Sequence, residues 1–409
     1  MPRRRQQFLG LNWHCRGATD KRNKDKDVQT LSDTNAGKSQ GGLPRFRMTT
    51  DPASAPDARA SDATMLLSQE PPGISVAGAD RIARQVFGVT GQFRNLSSER
   101  DSNFHITLPC GAQALLKITN AREDRSVTAM QTAALMHLAV VDPDLPVQRI
   151  CETLSGGAWE IVTGPSGQEH VVRLMSWLEG TMLHAATPGP DLHRRIGNLL
   201  GRLTKGMRGF FHPAAGHILQ WDIKQAAGLR PMLDAVPDTA LRNRLARHLD
   251  RFEAEIAPRL PHLRAWVVHN DFNPHNLVVD ATEARNPTGI IDFGDMVHTP
   301  LACDLAIACS YNITTGSAPL ARVAAIVAGY ASVLMPEEEE IALLPDLIRM
   351  RHITTLAITA WRAARYPENA TYILRNSDVS LRGLDMIDRI GTHEAAQVLR
   401  AAIHAKTTE

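Results

Sequence analysis

Apolar residues recur at helical spacing along much of the chain. Val76, Ile82, Ala83, Val86 and Phe87 predict a helix over 76–87, with Asp80 near its start. Met130, Ala133, Ala134 and Leu138 share one stripe and predict a helix over 126–140. Around that helix lie short strand-like runs: FRNLSSERDSNFHITL, QALLKIT, AWEIVTG and HVVRLMSWL. Beyond Glu179-Gly180 the character changes. Helical patterns over 192–209, 239–256, 301–313, 320–334 and 338–364 dominate, and helices continue to the C-terminus. A strand-rich part with one inserted helix is thus followed by a helical part. This predicts an α+β, two-lobed chain, with the join near Met175 to Gly180 and no internal repeat.

One strand-rich island interrupts the helical part. Val267-Val268, Leu277-Val278-Val279 and Ile290-Ile291 are runs of strand length, and Asn286-Pro287-Thr288-Gly289 reads as the turn between the last two. HNDFNPHN then lies in the loop ahead of one strand of a hairpin, and DFGD lies at the exit of the other. Those loops can converge at one end of the hairpin and bring together Asp271, Asn276 and Asp292.

Phosphoryl transfer from a nucleotide needs magnesium on the phosphate oxygens and a carboxylate at the attacking hydroxyl. Magnesium takes hard oxygen ligands, so an Asp and an Asn carbonyl serve, and the base must be a separate carboxylate. H-x-D-x-x-x-x-N at His269–Asn276, with D-F-G sixteen residues beyond the Asn, meets each requirement. His269 would support the loop. Either motif alone is common by chance in turns. Both together, in order and each beside a strand, point to function.

Composition narrows the picture further. The five cysteines show no CxxC pairing, which disfavours a zinc site or disulfide framework and suits a reducing cytosol. No apolar run reaches the roughly 18 residues of a membrane span. Residues 1–48 carry a net +7 against +2 overall, leaving −5 for the rest. A mildly acidic body gives no sign of a nucleic-acid surface. Residues 1–65 lack any apolar period and are predicted to be a disordered basic extension. DKRNKDKD breaks a transit-peptide pattern, no secretory apolar core follows the arginines, and Met48 or Met65 would serve as a start.

At the residues above, the chain resembles the aminoglycoside phosphotransferase and choline kinase family of small-molecule kinases, which shares the protein-kinase-like fold. Within it, the likeness is to hydroxylysine kinases and to kinase-like domains fused to class III aminotransferases. It is carried by LSSERDSNFHI (96–106), ALLKITN (114–120), VVRLMSWLEG (171–180), GIIDFGDM (289–296) and YPENATYIL (366–374). The resemblance implies a nucleotide-binding N-lobe over 66–178 and a catalytic, acceptor-binding C-lobe over 179–409. It implies Asp271 as catalytic base, Asn276 and Asp292 as magnesium ligands, and Lys117 on the nucleotide phosphates. Ser97 and Ser98 fall where the family's phosphate loop lies, Ser176 to Leu178 at the hinge against the base, and Asp295 and Arg351 at polar positions of the acceptor pocket.

Two departures stand out. The position on the inserted helix that carries an acid in related kinases is Ala129, with Glu123 or Asp124 as substitutes from the preceding loop. The usual Gly after the loop histidine is Asn270, which tolerates left-handed backbone. The expected activity is phosphorylation, by ATP or GTP with Mg2+, of the hydroxyl of an amino alcohol or hydroxy-amino acid in the cytoplasm. Another hydroxylated amine, an aminoglycoside included, is the alternative acceptor. A non-catalytic nucleotide-binding module beside an aminotransferase-like enzyme is the alternative class; Ala129 favours it and the intact Asp271, Asn276 and Asp292 disfavour it.

Overall fold

The computed structural model describes residues 71–405 apart from 97, 99 and 190, together with two short paired strands, Gln7–Phe8 (β1) and Leu11–Asn12 (β2). The expectation of a disordered extension otherwise lies outside the described residues, as does Ser97. That short pair was not anticipated from the sequence.

The N-terminal lobe is built on an antiparallel sheet. Its strands are Gln92–Leu96 (β3), Ser102–Thr107 (β4), Gln113–Ile118 (β5), Ile150–Cys151 (β6), Glu160–Thr163 (β7) and Glu169–Ser176 (β8). The order is β3-β4-β5-β8-β6, with β7 also on β8. Alternation decides the faces. Ala114, Leu116 and Ile118 of β5 are buried with Phe104, Ile106, Val172, Leu174 and Phe87 in a small core. Their neighbours Leu115 and Lys117 therefore leave the opposite face. Helix Val76–Ile82 (α1), capped by the Ser75 hydroxyl, continues through a π turn to Phe87 and closes the small core. Helix Arg125–Val141 (α2) starts at Asp124, whose carboxylate accepts the Ser126 N–H at 2.8 Å. Its Met130, Ala134 and Leu138 join the larger core of the helical lobe, so α2 bridges the two lobes.

The helical lobe contains Leu192–Gly206 (α3), Thr239–Arg251 (α4), Leu301–Ser310 (α5), Ala321–Ala331 (α6), the long Glu338–Arg365 (α7), the short Ala370–Ile373 (α8), Ser377–Ile390 (α9) and Thr392–His404 (α10). Helix α3 packs against α6 at backbone contact. A Cβ on Gly197 would sit 1.9 Å from the Ile326 carbonyl oxygen, and one on Gly329 1.9 Å from that of Arg194. Only glycine fits either place. Helix α3 ends three residues before the expected 209, and α4 gives way to a π turn at Phe252. A 3-10 run over Ile223–Ala235, interrupted by Pro231, was not anticipated. Among the described residues no helix is long and apolar enough to cross a membrane.

The β island forms as expected, with one difference. Strands Leu277–Val279 (β11) and Pro287–Ile290 (β12) pair antiparallel, and Thr181–Met182 (β9) adds to the other edge of β11. Ala265–Val268 (β10) pairs with Val297–Pro300 (β13). Residues 287–289, read as the turn, lie within β12. The turn is displaced to Asp280–Asn286, because the Asp280 carboxylate gathers the N–H groups of Glu283, Arg285 and Asn286 at 2.7–2.9 Å.

Candidate active site

Two loops meet at the end of the hairpin. The Ile291 N–H donates to the Asn276 carbonyl at 3.0 Å, so Asn276 lies one residue from Asp292 across the pair. Each loop carries a non-glycine in the left-handed region, Asn270 (φ 61°) and Asp292 (φ 59°). Asn270 is held by its N–H on the buried Asp304 carboxylate of α5, at 2.9 Å. Asp304 was not singled out in the sequence; burial pushes its carboxyl up to about 6. His269 ties the loops together. Its Nδ1 accepts the Asp271 N–H at 3.2 Å, its Nε2 lies 3.1 Å from the Ile291 carbonyl, and its ring meets Phe293 edge-on at 4.8 Å. With Nδ1 accepting, Nε2 is the donor to the Ile291 carbonyl.

Asp271 is the most constrained carboxylate in the site. Its Oδ1 accepts from Asn273 Nδ2 at 2.8 Å and Arg351 Nη2 at 2.9 Å, and its Oδ2 from Asn276 Nδ2 at 2.6 Å. Burial pushes its carboxyl up to about 7, against the opposing pull of Arg351. Arg351, from the middle of α7, is 3% exposed, also donates to the Trp221 carbonyl, and stacks over the Trp221 ring. It is no surface ion pair.

Asp292 is different: its side chain is 53% exposed and opens onto the cavity. Its Oδ1 accepts the Gly294 N–H at 3.2 Å and lies 3.8 Å from Lys117 Nζ. Burial by the surrounding protein raises its pKa, but Lys117 and Arg100 outweigh that and hold the carboxyl below its ordinary value. Among the described residues no three His, Cys, Asp or Glu side chains gather into a metal cluster. Asp292 and Asn276 together offer one carboxylate and one amide oxygen. That donor set suits magnesium, which commonly takes one or two protein oxygens and fills its octahedron with substrate phosphates and water.

Lys117 leaves β5 into the same cavity. Its ammonium pairs with Asp101 at 2.9 Å. The substitute partners named from sequence are not used. Asp124 is spent on capping α2, and Glu123 lines the cavity without an ion pair to Lys117. Asp101 precedes β4, and β4 lies beside β5 with Asn103 opposite Lys117, so strand pairing delivers the carboxylate. The loop is sewn to the end of β5. Asp101 Oδ1 accepts the Asn120 N–H at 3.0 Å, Asn120 Nδ2 donates to the Arg100 carbonyl, and the Asp101 N–H donates to Ser98 Oγ. Burial draws the Lys117 ammonium down, but Asp101 and Asp292 reverse this and its pKa ends raised. Arg100 crosses the cleft to Asp295 at 3.1 Å.

The cavity holds about 670 Å³. Ser98, Lys117, Trp177 and Leu178 line one part of it, and Asp271, Asn276, Asp292, Asp295 and Arg351 another. Ser176 is not part of the lining. Its hydroxyl accepts the Arg149 N–H at 2.8 Å and so points to the sheet edge, while Met175, Trp177 and Leu178 face the cavity.

A small β lobe and a large helical lobe, closed over an acid–amide loop pair and a buried lysine, define a kinase-like phosphotransferase. The sequence pattern of the phosphotransferase enzyme family matches residues 92–344, and the chain belongs to that family. The hydroxylysine kinase of Danio rerio is 26% identical over 341 residues, covering 81% of this chain and 96% of that protein. Among solved structures, a microcompartment-associated aminopropanol kinase superposes with a TM-score of 0.63 at 18% identity, covering 79% of this chain and all of the other. An amicoumacin kinase, solved in complex with AMP-PNP, Ca2+ and Ami, gives 0.56 at 15% identity over 74% of this chain and 92% of the other. The chain is a small-molecule kinase of this family, acting on an alcohol group.

Proposed function

We propose that the protein transfers the γ-phosphate of ATP or GTP to the hydroxyl of a small hydroxy-amino acid of the hydroxylysine type. Asp271 is the base at the acceptor hydroxyl. Asn276 and Asp292 hold magnesium, which neutralises phosphate charge when bound. Lys117 contacts the phosphates, with the Ser98 loop above them and Trp177 and Leu178 against the base. The observation that carries this reading is one cavity that Lys117 and Asp292 share with Asp271. The asymmetry of the two carboxylates supports their roles. Asp271 is locked by three donors, as a base must be to meet a hydroxyl in register, whereas Asp292 is half open to a ligand. A raised pKa near the working pH also suits a general base.

The acceptor end favours an amino acid over a polycationic aminoglycoside. Arg351, Arg362 and Arg375 all line it, and guanidinium forks match carboxylates. The relatives named hydroxylysine kinase agree with this chemistry. The test is a panel of 5-hydroxylysine, homoserine, 1-amino-2-propanol, ethanolamine and an aminoglycoside, each with MgATP and with MgGTP. Stimulated nucleoside diphosphate release is expected with the carboxylate-bearing acceptors. Turnover with ethanolamine or the aminoglycoside alone would reject the acceptor assignment, and no stimulation by any hydroxyl compound would count against transfer.

A further inference from the structure

Lys117 and Arg173 are register partners across β5 and β8, so their side chains leave the same face of the sheet. Both line the cavity beside α2. They are supplied with partners very differently. Lys117 has Asp101 at 2.9 Å and Asp292 at 3.8 Å. Arg173, 2% exposed, has no carboxylate within ion-pair distance among the described residues. Its Nη1 and Nη2 donate to the hydroxyls of Thr132 and Thr119, both at 3.4 Å, and its Nε donates to nothing. A guanidinium offers five N–H donors and stays cationic. Two long bonds to neutral oxygens leave most of that capacity unused at the cavity wall.

A buried charge without a counter-ion is costly, and proteins pair such groups. Helix α2 does not do it, since Ala129 stands where an acid would. Gln131 turns its amide to the Gly294 carbonyl, at 3.3 Å. The more distant carboxylates of Asp101, Glu123 and Asp292 do not suffice either: burial holds the Arg173 pKa below its ordinary value despite them. Lys117 and Asp101 already form a matched pair, and Asp292 is the carboxylate a metal would neutralise. Arg173 is the unmatched positive charge in the nucleotide half of the cleft.

We infer that Arg173 is a nucleotide-binding residue whose missing counter-ion is the phosphate tail, which it holds together with Lys117. This rests on the kinase reading above. Phosphate oxygens accept two guanidinium N–H bonds side by side and would take up the donors now idle.

The test compares the whole protein with Arg173→Met and Arg173→Lys. The readouts are melting temperature without ligand, binding of magnesium nucleotide and of the bare nucleoside, and separate KM values for nucleotide and acceptor. Without ligand, Arg173→Met should melt at or above the parent temperature, because an unpaired buried charge has gone. Its nucleotide KM should rise about tenfold or more, the scale of a lost charged hydrogen bond, with nucleoside affinity and acceptor KM unchanged. Arg173→Lys should fall between. A folded Arg173→Met with parental nucleotide affinity would overturn the inference. So would a lowered melting temperature with nucleotide KM equal in all three proteins. If Arg173→Met does not fold, parental nucleotide KM in Arg173→Lys overturns it and a raised one supports it. A parent protein that binds no magnesium nucleotide overturns the kinase reading itself and the inference with it.

Discussion

Two charge clusters in this molecule use the same residue types to opposite ends. At the base of the helical lobe, Asp346 and Arg349 of α7 meet Arg244, His248 and Arg251 of α4, Asp388 of α9 and Thr392 of α10. Arg349 Nε donates to Asp388 at 2.6 Å, Arg244 to Asp388 at 2.8 Å, and Arg251 to Asp346 at 2.9 and 3.0 Å; Arg349 also pairs directly with Asp346. Asp346 and Asp388 are each shared by two or more cations, and four helices are fastened together. In the cleft, Asp292 is half open, Arg173 has no carboxylate partner among the described residues, and Lys117 is held by a loop. A network built for folding closes upon itself. A network built for a ligand leaves charges for the ligand to complete.

Substitutions should separate the two clusters cleanly. The largest effect is expected for Asp271→Asn, which removes the carboxylate proposed as base while keeping its shape. Turnover should fall by roughly a hundred- to ten-thousand-fold, with nucleotide binding and melting temperature retained. Next, Asp346→Ala leaves Arg251 and Arg349 short of a partner. Chemical denaturation should report a loss of about 3 kcal/mol, the scale of a broken buried pair, with unchanged KM values in the protein that remains folded. Third, Lys117→Met should weaken nucleotide binding by roughly ten- to a hundredfold, the loss of a hydrogen bond to a charged group. Melting without nucleotide should fall less than in Asp346→Ala, since Asp101 loses its counter-ion but keeps the Asn120 N–H. Unchanged affinity in isothermal titration would remove Lys117 from the phosphate site.

The smallest effect concerns pH. Burial raises the Asp388 pKa, but bonds from His248, Arg349 and Arg244 outweigh it and hold the carboxyl well below its ordinary range. A depressed folded pKa means that the folded state favours the ionised form. The stability Asp388 contributes is thus present in full above the unfolded value of about 4 and is lost as pH falls through the lower, folded value. Melting curves from pH 6 down to pH 2 should show a steeper acid decline in the parent than in Asp388→Asn. Equal slopes would disconnect this cluster from acid stability.

The sequence showed the hairpin and its flanking loops because short apolar runs sit directly against polar turn residues. It also placed the helices of the C-terminal lobe, where apolar periods are long. What it hid depends on register and reach. Asp101 meets Lys117 only because β4 and β5 pair as they do, and the acid search along α2 looked on the wrong element. Arg173 did carry a signal, a lone cation inside the buried run VVRLMS, but its isolation from carboxylates is a three-dimensional fact. The displaced turn at 280–286 follows from one Asp280 side chain collecting distant N–H groups, which turn propensity at Asn286-Pro287 cannot show. Ser176 was assigned by position, and the Arg149 N–H that its hydroxyl accepts could not be read from the sequence.

The most direct test of the division of labour in the cleft is a titration of Asp271→Asn and Asp292→Asn with magnesium nucleotide. Calorimetry should show that Asp271→Asn binds like the parent protein and that Asp292→Asn loses its magnesium-dependent affinity. Loss of that affinity in Asp271→Asn, with Asp292→Asn binding as the parent does, would contradict the assignment of one carboxylate to the acceptor and the other to the metal.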